Sequence, residues 1–244
     1  MPIPARRSIA IAVTDLQTGH TIHVNGDRPR LSGCVMNLYV RIDAIREVQY
    51  GQLSRGDIEG LVYATTWSSN AVTAFQLYSM MGGGNPIEGA SRAADIHRQL
   101  GLGDGMVIDH PPGFPGYSRG VNANNYITAV DINETLSQIY HREVLDETHT
   151  QFLLGAMGQV KPGLNYLTAA GVPSRATVHH KNGFFPYSGG YVDNDAGIVR
   201  FQGGGQEYAY AVTFLSQRVP EKYSQLPLAQ EMMRRTWSYF DNRY

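Results

Sequence analysis

The run Arg30-Leu-Ser-Gly-Cys34-Val-Met-Asn37-Leu-Tyr-Val-Arg-Ile42 organises the rest of this chain. A small polar lead-in, Ser32-Gly33, passes straight into a helical pattern over 34–50, and the only cysteine stands in its first turn. With Ser32 or Gly33 as the cap, the free N–H groups and the dipole of a helix start favour a thiolate. A thiol is also ionised by a few per cent at neutral pH without help, its reference pKa being about 8.5. Asn37 lies one turn on and on the same face; it exchanges hydrogen bonds but takes up no proton at neutral pH. Cys34 therefore has two readings, a nucleophile or a small apolar side chain of the core.

Before this run, 8–16 and 21–25 read as strands joined by the short connection Gln17-Thr-Gly-His20. After it, helical spacing recurs over 56–66, 70–81, 87–100, 131–142 and 146–157. Asp131, with Glu134 as capping-box partner, and Asp146 are the expected N-caps of the last two. Strand patterns return at 175–181, 195–201 and 207–215. An amphipathic helix over 226–239 closes the chain, with Leu228, Met232, Trp237 and Phe240 toward the core. Strands, a helical block, strands and a helix predict an α/β fold of the α+β type. One antiparallel sheet comes from both chain ends (about 1–30 and 170–244), flanked by helices, with an inserted helical lobe (about 31–169) in a single domain over 1–244. The irregular stretch 103–125, containing Asp109-His-Pro-Pro-Gly-Phe-Pro-Gly-Tyr117, has the length of a functional lid or Ω-loop. Gly82-Gly-Gly84 and Gly203-Gly-Gly205 read as turns, since neither follows a strand and opens a helix as a phosphate-cradling loop does.

With 244 residues, 42% of them hydrophobic, the chain can bury a sizeable core. A net charge of -1 gives no electrostatic ground for binding nucleic acid or an acidic membrane. No apolar run approaches the ~20 residues of a bilayer span, and the start, Met1 to Val13, is interrupted too soon for a signal peptide, with a trimmed export signal left open. One cysteine excludes an intramolecular disulfide and fits a reducing, cytoplasmic compartment. His179 and His180 point to opposite faces of a strand and make a poor chelating pair, so neither metal nor other cofactor is expected. The expected partner is a small-molecule substrate, with a homo-oligomer left open.

In order and spacing these segments resemble the class A β-lactamase and penicillin-binding-protein superfamily, with its signatures Ser-x-x-Lys, Ser-Asp-Asn and Lys-Thr-Gly. Cys34-Val-Met-Asn37 stands at the first, after the strand pair and the Asn25-Gly-Asp27 turn; Ser68-Ser69-Asn70 stands at the second. Lys181-Asn182-Gly183 stands at the third, followed by the similar run Asn194-Asp-Ala-Gly-Ile-Val199. Asn125-Tyr-Ile-Thr-Ala-Val-Asp131 resembles the helix entry after the family's Ω-loop, so the similarity spans nearly the whole chain. The resemblance implies a β-lactamase/transpeptidase-like fold and acyl transfer from Cys34. Asn37 would orient the thiol or a substrate carbonyl, Ser68 would relay a proton and Asn70 would hold the substrate amide. Lys181 would attract an anionic group or favour the thiolate, with Asn182 and Gly183 beside the substrate. The N–H groups of Cys34 and Phe184 would form the oxyanion hole.

The departures from the family pattern are chemically coherent. Losing a general base costs on the order of 10²–10⁴ in rate, and exchanging serine for a more readily ionised cysteine offsets part of that loss. Ser69 replaces the motif aspartate, and 103–125 holds only Asp104 and Asp109 where the family uses a glutamate to activate the deacylating water. Efficient β-lactam hydrolysis is therefore not expected; the substrate would be a small amide, ester, thioester or lactam, and the acyl-enzyme a thioester open to water or an amine. His179, His180 and His110 are candidate replacement bases. The bland alternatives are a helix cap for Ser68-Ser69-Asn70, an anti-aggregation charge for Lys181, and a retired fold kept as a binding module.

Overall fold

The computed structural model describes residues 8–244; residues 1–7, the start of the first sheet segment and of the run weighed as an export signal, lie outside it. β1 (Ile9–Asp15) and β2 (Thr21–Val24) form the expected hairpin, with Ile11 opposite Val24. After β3 (Arg30–Leu31), a 3₁₀ turn over Gly33–Met36 runs into α1 (Asn37–Gln49), followed by α2 (Arg55–Trp67), α3 (Ala71–Met81) and α4 (Pro86–Gln99). The 103–125 stretch leads to β4 (Tyr126–Ile127), α5 (Ala129–Tyr140) and α6 (Glu147–Met157). The chain then returns to the sheet as β5 (Ala176–Tyr187), β6 (Gly190–Gly203) and β7 (Gln206–Ser216), and ends in α7 (Leu226–Arg243).

The sheet order is β2-β1-β7-β6-β5, antiparallel throughout, so both chain ends build it as the segment order predicts. Gly204 and Gly205 form the two-residue turn between β6 and β7 at φ 55 and 86, backbone that side chains with a Cβ rarely adopt. Against one sheet face, Ala229, Met233, Trp237 and Phe240 of α7 meet Val199, Phe201, Tyr210 and Val212. The other face carries the helical lobe, centred on α1, whose residues from Asn37 to Ile45 are all buried. A helix covered all round is the hub of its layer, and each large apolar side chain it buries stabilises the fold by about 1.5–3 kcal/mol. Among the described residues no helix is long and apolar enough to cross a membrane.

Several local expectations need correcting. β5 continues to Tyr187 rather than stopping at 181, because its hairpin with β6 pairs right up to the Ser188-Gly189 turn. Neither Ser32 nor Gly33 caps a helix through a side chain; the Ser32 hydroxyl donates to the Gly33 carbonyl and contacts the Met36 sulfur. α5 is capped by Thr128, whose hydroxyl accepts from the Asp131 N–H, which puts Asp131 inside the first turn and leaves Glu134 to Gln138. Asp146 caps α6 as expected. Leu228 is 51% exposed, because the buried stripe of α7 runs one residue later, through Ala229 and Met233.

Candidate active site

Cys34 opens into a cavity of about 400 Å³ bounded by the end of β5, the start of α3 and the 103–125 loop; Ser69, His110, Asn125, Phe184 and Phe185 share its lining. Two glycines let the β5 backbone lie directly on the Cys34 turn. A Cβ added to Gly183 would sit 2.6 Å from the Cys34 nitrogen, and one on Gly33, at φ 55, 3.2 Å from the Gly183 carbonyl carbon. Asn194, fully buried on β6, fixes the approach to the turn: its amide donates to the Leu31 and Ser32 carbonyls at 2.7 and 3.1 Å and accepts from the Ser216 N–H at 2.8 Å. Counting back from the two-residue turn that pairs Tyr187 with Gly190, alternate residues of β5 bond to β6. Asn182 and Phe184 are the intervening ones, with their backbone groups directed off the sheet edge. The Asn182 carbonyl accordingly accepts from Lys181 Nζ at 2.5 Å and from the Ser69 hydroxyl at 3.3 Å.

One buried cation, Lys181, lies beside Cys34, and a second, Arg41, lies within electrostatic reach of the first. Lys181 is 1% exposed, and its ammonium also donates to the Ser69 hydroxyl. Burial above all draws its pKa down to about 8; the Arg41 charge adds to that, while Cys34 and Asp195 oppose it. Arg41, also fully buried, donates to the Asn37 carbonyl at 3.2 Å and to the Thr66 hydroxyl at 2.6 Å, and burial draws it down to about 10. Tyr78 is pushed well above the usual phenol range by burial and by the neighbouring Cys34. Asn37 is fully buried, and neither its side-chain oxygen nor its nitrogen has a hydrogen-bond partner among the described residues.

The structure brings Cys34, Lys181, Gly183 and Phe184 together and moves others aside. Ser68 is exposed, its hydroxyl 3.5 Å from the Ala64 carbonyl; Ser69, at φ 55, is the serine that turns to Lys181 and the cavity. Asn70 caps α3, its oxygen accepting from the Val72 and Thr73 N–H groups at 2.9 and 3.3 Å, as the helix-cap reading had it. Asn182 serves through its carbonyl, while its buried side chain lies on the strand face opposite Lys181. Burial of Lys181 overturns its reading as an exposed anti-aggregation charge. Of the candidate bases, His180 is tied to Asp195 and Asn165 at 2.8 and 2.6 Å, and His179 to the Leu154 carbonyl at 2.8 Å, so neither lines the cavity. His110 does line it.

Arg41, Ser69, Asn125 and Asn194 are the residues that sequence reasoning did not assign. Arg41 left one signal: a charge four residues after Asn37 and seven after Cys34, on the same face of an otherwise apolar helix. Among the described residues no group of three His, Cys, Asp or Glu side chains is placed to hold a metal ion.

An antiparallel sheet with a helical lobe against one face, its central helix entered through the Cys34 turn, is the fold of β-lactamases and PBP-A. The family model described as "Beta-lactamase enzyme family" matches residues 87–240, and the chain belongs to that family. The matched stretch includes Lys181-Asn182-Gly183 but neither Cys34 nor Ser69. The structure is similar over 95% of the chain to a β-lactamase from Chitinophaga pinensis, at 19% identity and TM-score 0.80 over 93% of that chain. It is similar over 96% of the chain to the TLA-3 extended-spectrum β-lactamase, at 16% identity and TM-score 0.81 over 93% of that chain. It is also similar over 96% of the chain to PBP-A, at 18% identity and TM-score 0.78 over 90% of that chain. At these identities the likeness is one of fold. A search of curated proteins by sequence finds no match.

Proposed function

We propose that the protein is an acyl-transfer enzyme whose nucleophile is the Cys34 thiolate, acting on a small amide, ester, thioester or lactam in the cytoplasm. The thiolate attacks the substrate carbonyl, and the developing oxyanion is received by the N–H groups of Cys34 and Phe184. As the tetrahedral intermediate collapses, the leaving group takes a proton from the Ser69 hydroxyl, which is replenished from the Lys181 ammonium. The product is a thioester on Cys34, released to water or to an amine. The observation that carries this reading is the shared cavity: Cys34 faces the same space as Ser69, whose hydroxyl is bonded to a lysine buried beside the thiol. Buried cations favour a thiolate and supply positive charge where the oxyanion forms.

The competing reading is a retired fold acting as a binding module. Two observations favour it: the Asn70 amide is spent on capping α3, and Asn37 makes no side-chain hydrogen bond among the described residues. Intact mass spectrometry after incubation with p-nitrophenyl acetate separates the two. An acetyl group on the native protein, absent from Cys34→Ala, supports acyl transfer; no acetylation of a folded protein supports the binding module.

A further inference from the structure

The 103–125 loop lacks a glutamate, but it brings a histidine–carboxylate pair to the wall of the Cys34 cavity. His110 lines that cavity and is 8% exposed; its Nδ1 lies 3.1 Å from Asp109 Oδ2. Asp109 is itself 1% exposed, and its other carboxylate oxygen accepts from the Val121 and Asn122 N–H groups at 2.9 and 3.1 Å. Burial acts to raise the Asp109 pKa, but hydrogen bonds from Ser118, Asn122, His110 and Val121 outweigh it and hold the carboxyl at about 2. An ionised partner on Nδ1 selects the tautomer with the proton on that nitrogen and leaves the lone pair on Nε2.

The pair is also fixed in place relative to the thiol. The Asn125 side chain accepts from the Asp109 and His110 N–H groups at 2.7 and 3.1 Å and donates to the His110 carbonyl at 2.8 Å. The Asn125 carbonyl in turn accepts from the Ser32 N–H at 3.1 Å, two residues before Cys34. One asparagine thus clamps the histidine-bearing loop to the segment that carries the nucleophile.

We propose that His110 is the general base of the second half-reaction, resolving the Cys34 thioester, and that Asp109 is its positioning residue. This rests on the acyl-transfer reading. The division of labour follows from chemistry: an ionised thiol needs no base to attack, and Lys181 with Ser69 protonates the leaving group, but water or an amine attacking a thioester must lose a proton. His110 Nε2 takes that proton as the acceptor oxygen or nitrogen bonds to the thioester carbon. The tetrahedral intermediate then expels the Cys34 thiolate, breaking the C–S bond, and the imidazolium returns its proton to solvent.

The test is stopped-flow hydrolysis of p-nitrophenyl acetate, reading the p-nitrophenolate burst for acylation and the later steady rate for deacylation, with intact mass in parallel. In H110Q the burst stays near one equivalent, the steady rate falls by about 10²–10⁴, and acetylated Cys34 accumulates. D109N lowers the steady rate by less and keeps the burst. H110G behaves as H110Q, and added imidazole restores its turnover, which a merely structural role would not do and which decides the matter should the loop collapse in the glutamine variant. A steady rate unchanged in H110Q, or a burst lost together with turnover and not rescued by imidazole, overturns the role of His110. An absence of any acetylation in the native protein is a different result: it removes the Cys34 reading and this one with it.

Discussion

Arg41 and Lys181 are two buried cations that feel each other: the Arg41 charge helps to hold the Lys181 ammonium below its ordinary range, and neither makes an ion pair among the described residues. An unpaired charge in a protein interior is costly and persists where it serves a task. Here Lys181 is the cation that interacts with Cys34, and Arg41 acts on the thiol only through Lys181. In the family pattern a lysine one turn after the nucleophile is the expected cation; in this chain Asn37 holds that place and Arg41, a further turn along, reaches back to its carbonyl.

Replacing Arg41 by methionine tests the coupling between the two cations. Arg41→Met keeps the bulk of the side chain and removes an unpaired buried charge, so unfolding in urea should show stability unchanged or raised. The same variant should move the Lys181-linked rise of stability with pH to higher pH, because the Arg41 charge no longer opposes the Lys181 ammonium. A destabilised protein whose pH dependence is unmoved would make Arg41 a purely structural residue.

Lys181 gives stability a signature in pH. Its folded pKa of about 8 lies below the ordinary 10.5, so between these values the unfolded chain binds more protons than the folded one. Stability should then rise with pH across that window, the deficit being greatest below about pH 8. Followed from pH 7 to 9.5, the denaturation midpoint of the native protein should rise relative to that of Lys181→Met. Parallel curves would place the titration elsewhere.

Gly183 tests the backbone contact on which the proposed oxyanion site depends. The methyl of Gly183→Ala would meet the Cys34 nitrogen at 2.6 Å and the Val35 nitrogen at 3.0 Å, both backbone atoms, so β5 must shift away from the Cys34 turn. Such overpacking costs about 1–3 kcal/mol, and the displaced Phe184 N–H should cost a further 10²–10³ in acylation by p-nitrophenyl acetate. Wild-type acylation in a folded Gly183→Ala protein would show that the two backbones need not touch.

Much of this was legible in the chain. Period-2 and period-3.6 patterns separate cleanly between the two ends and the middle, so the sheet built from both ends and the helical lobe follow from the order of elements. Lys181 and Gly183 fall on one strand face with their spacing intact. The rest depends on facts that periodicity does not carry. Ser68 and Ser69 are chemically identical neighbours, and only the left-handed backbone at Ser69 decides which one turns to the lysine. Phe184-Phe185-Pro186 breaks the alternation of β5, so the strand's true end was hidden; pairing with β6 supplies what the pattern lacks. Thr128 outcompetes Asp131 as a cap because a hydroxyl three residues earlier reaches the Asp131 N–H first. The burial of Arg41 went unread because charged residues are normally expected at the surface, and its stabilising partners are a backbone carbonyl and a threonine rather than a carboxylate.

Whether Cys34 is a working nucleophile is tested most directly by its rate of alkylation with iodoacetamide at pH 7, read by intact mass in the native protein, in Lys181→Met and after unfolding in urea. An activated site predicts that native Cys34 reacts faster than a small model thiol, and that both loss of Lys181 and unfolding slow it. A native thiol that reacts slowly, is indifferent to Lys181 and speeds up only on unfolding would contradict the nucleophile and leave Cys34 as a packing residue of the fold.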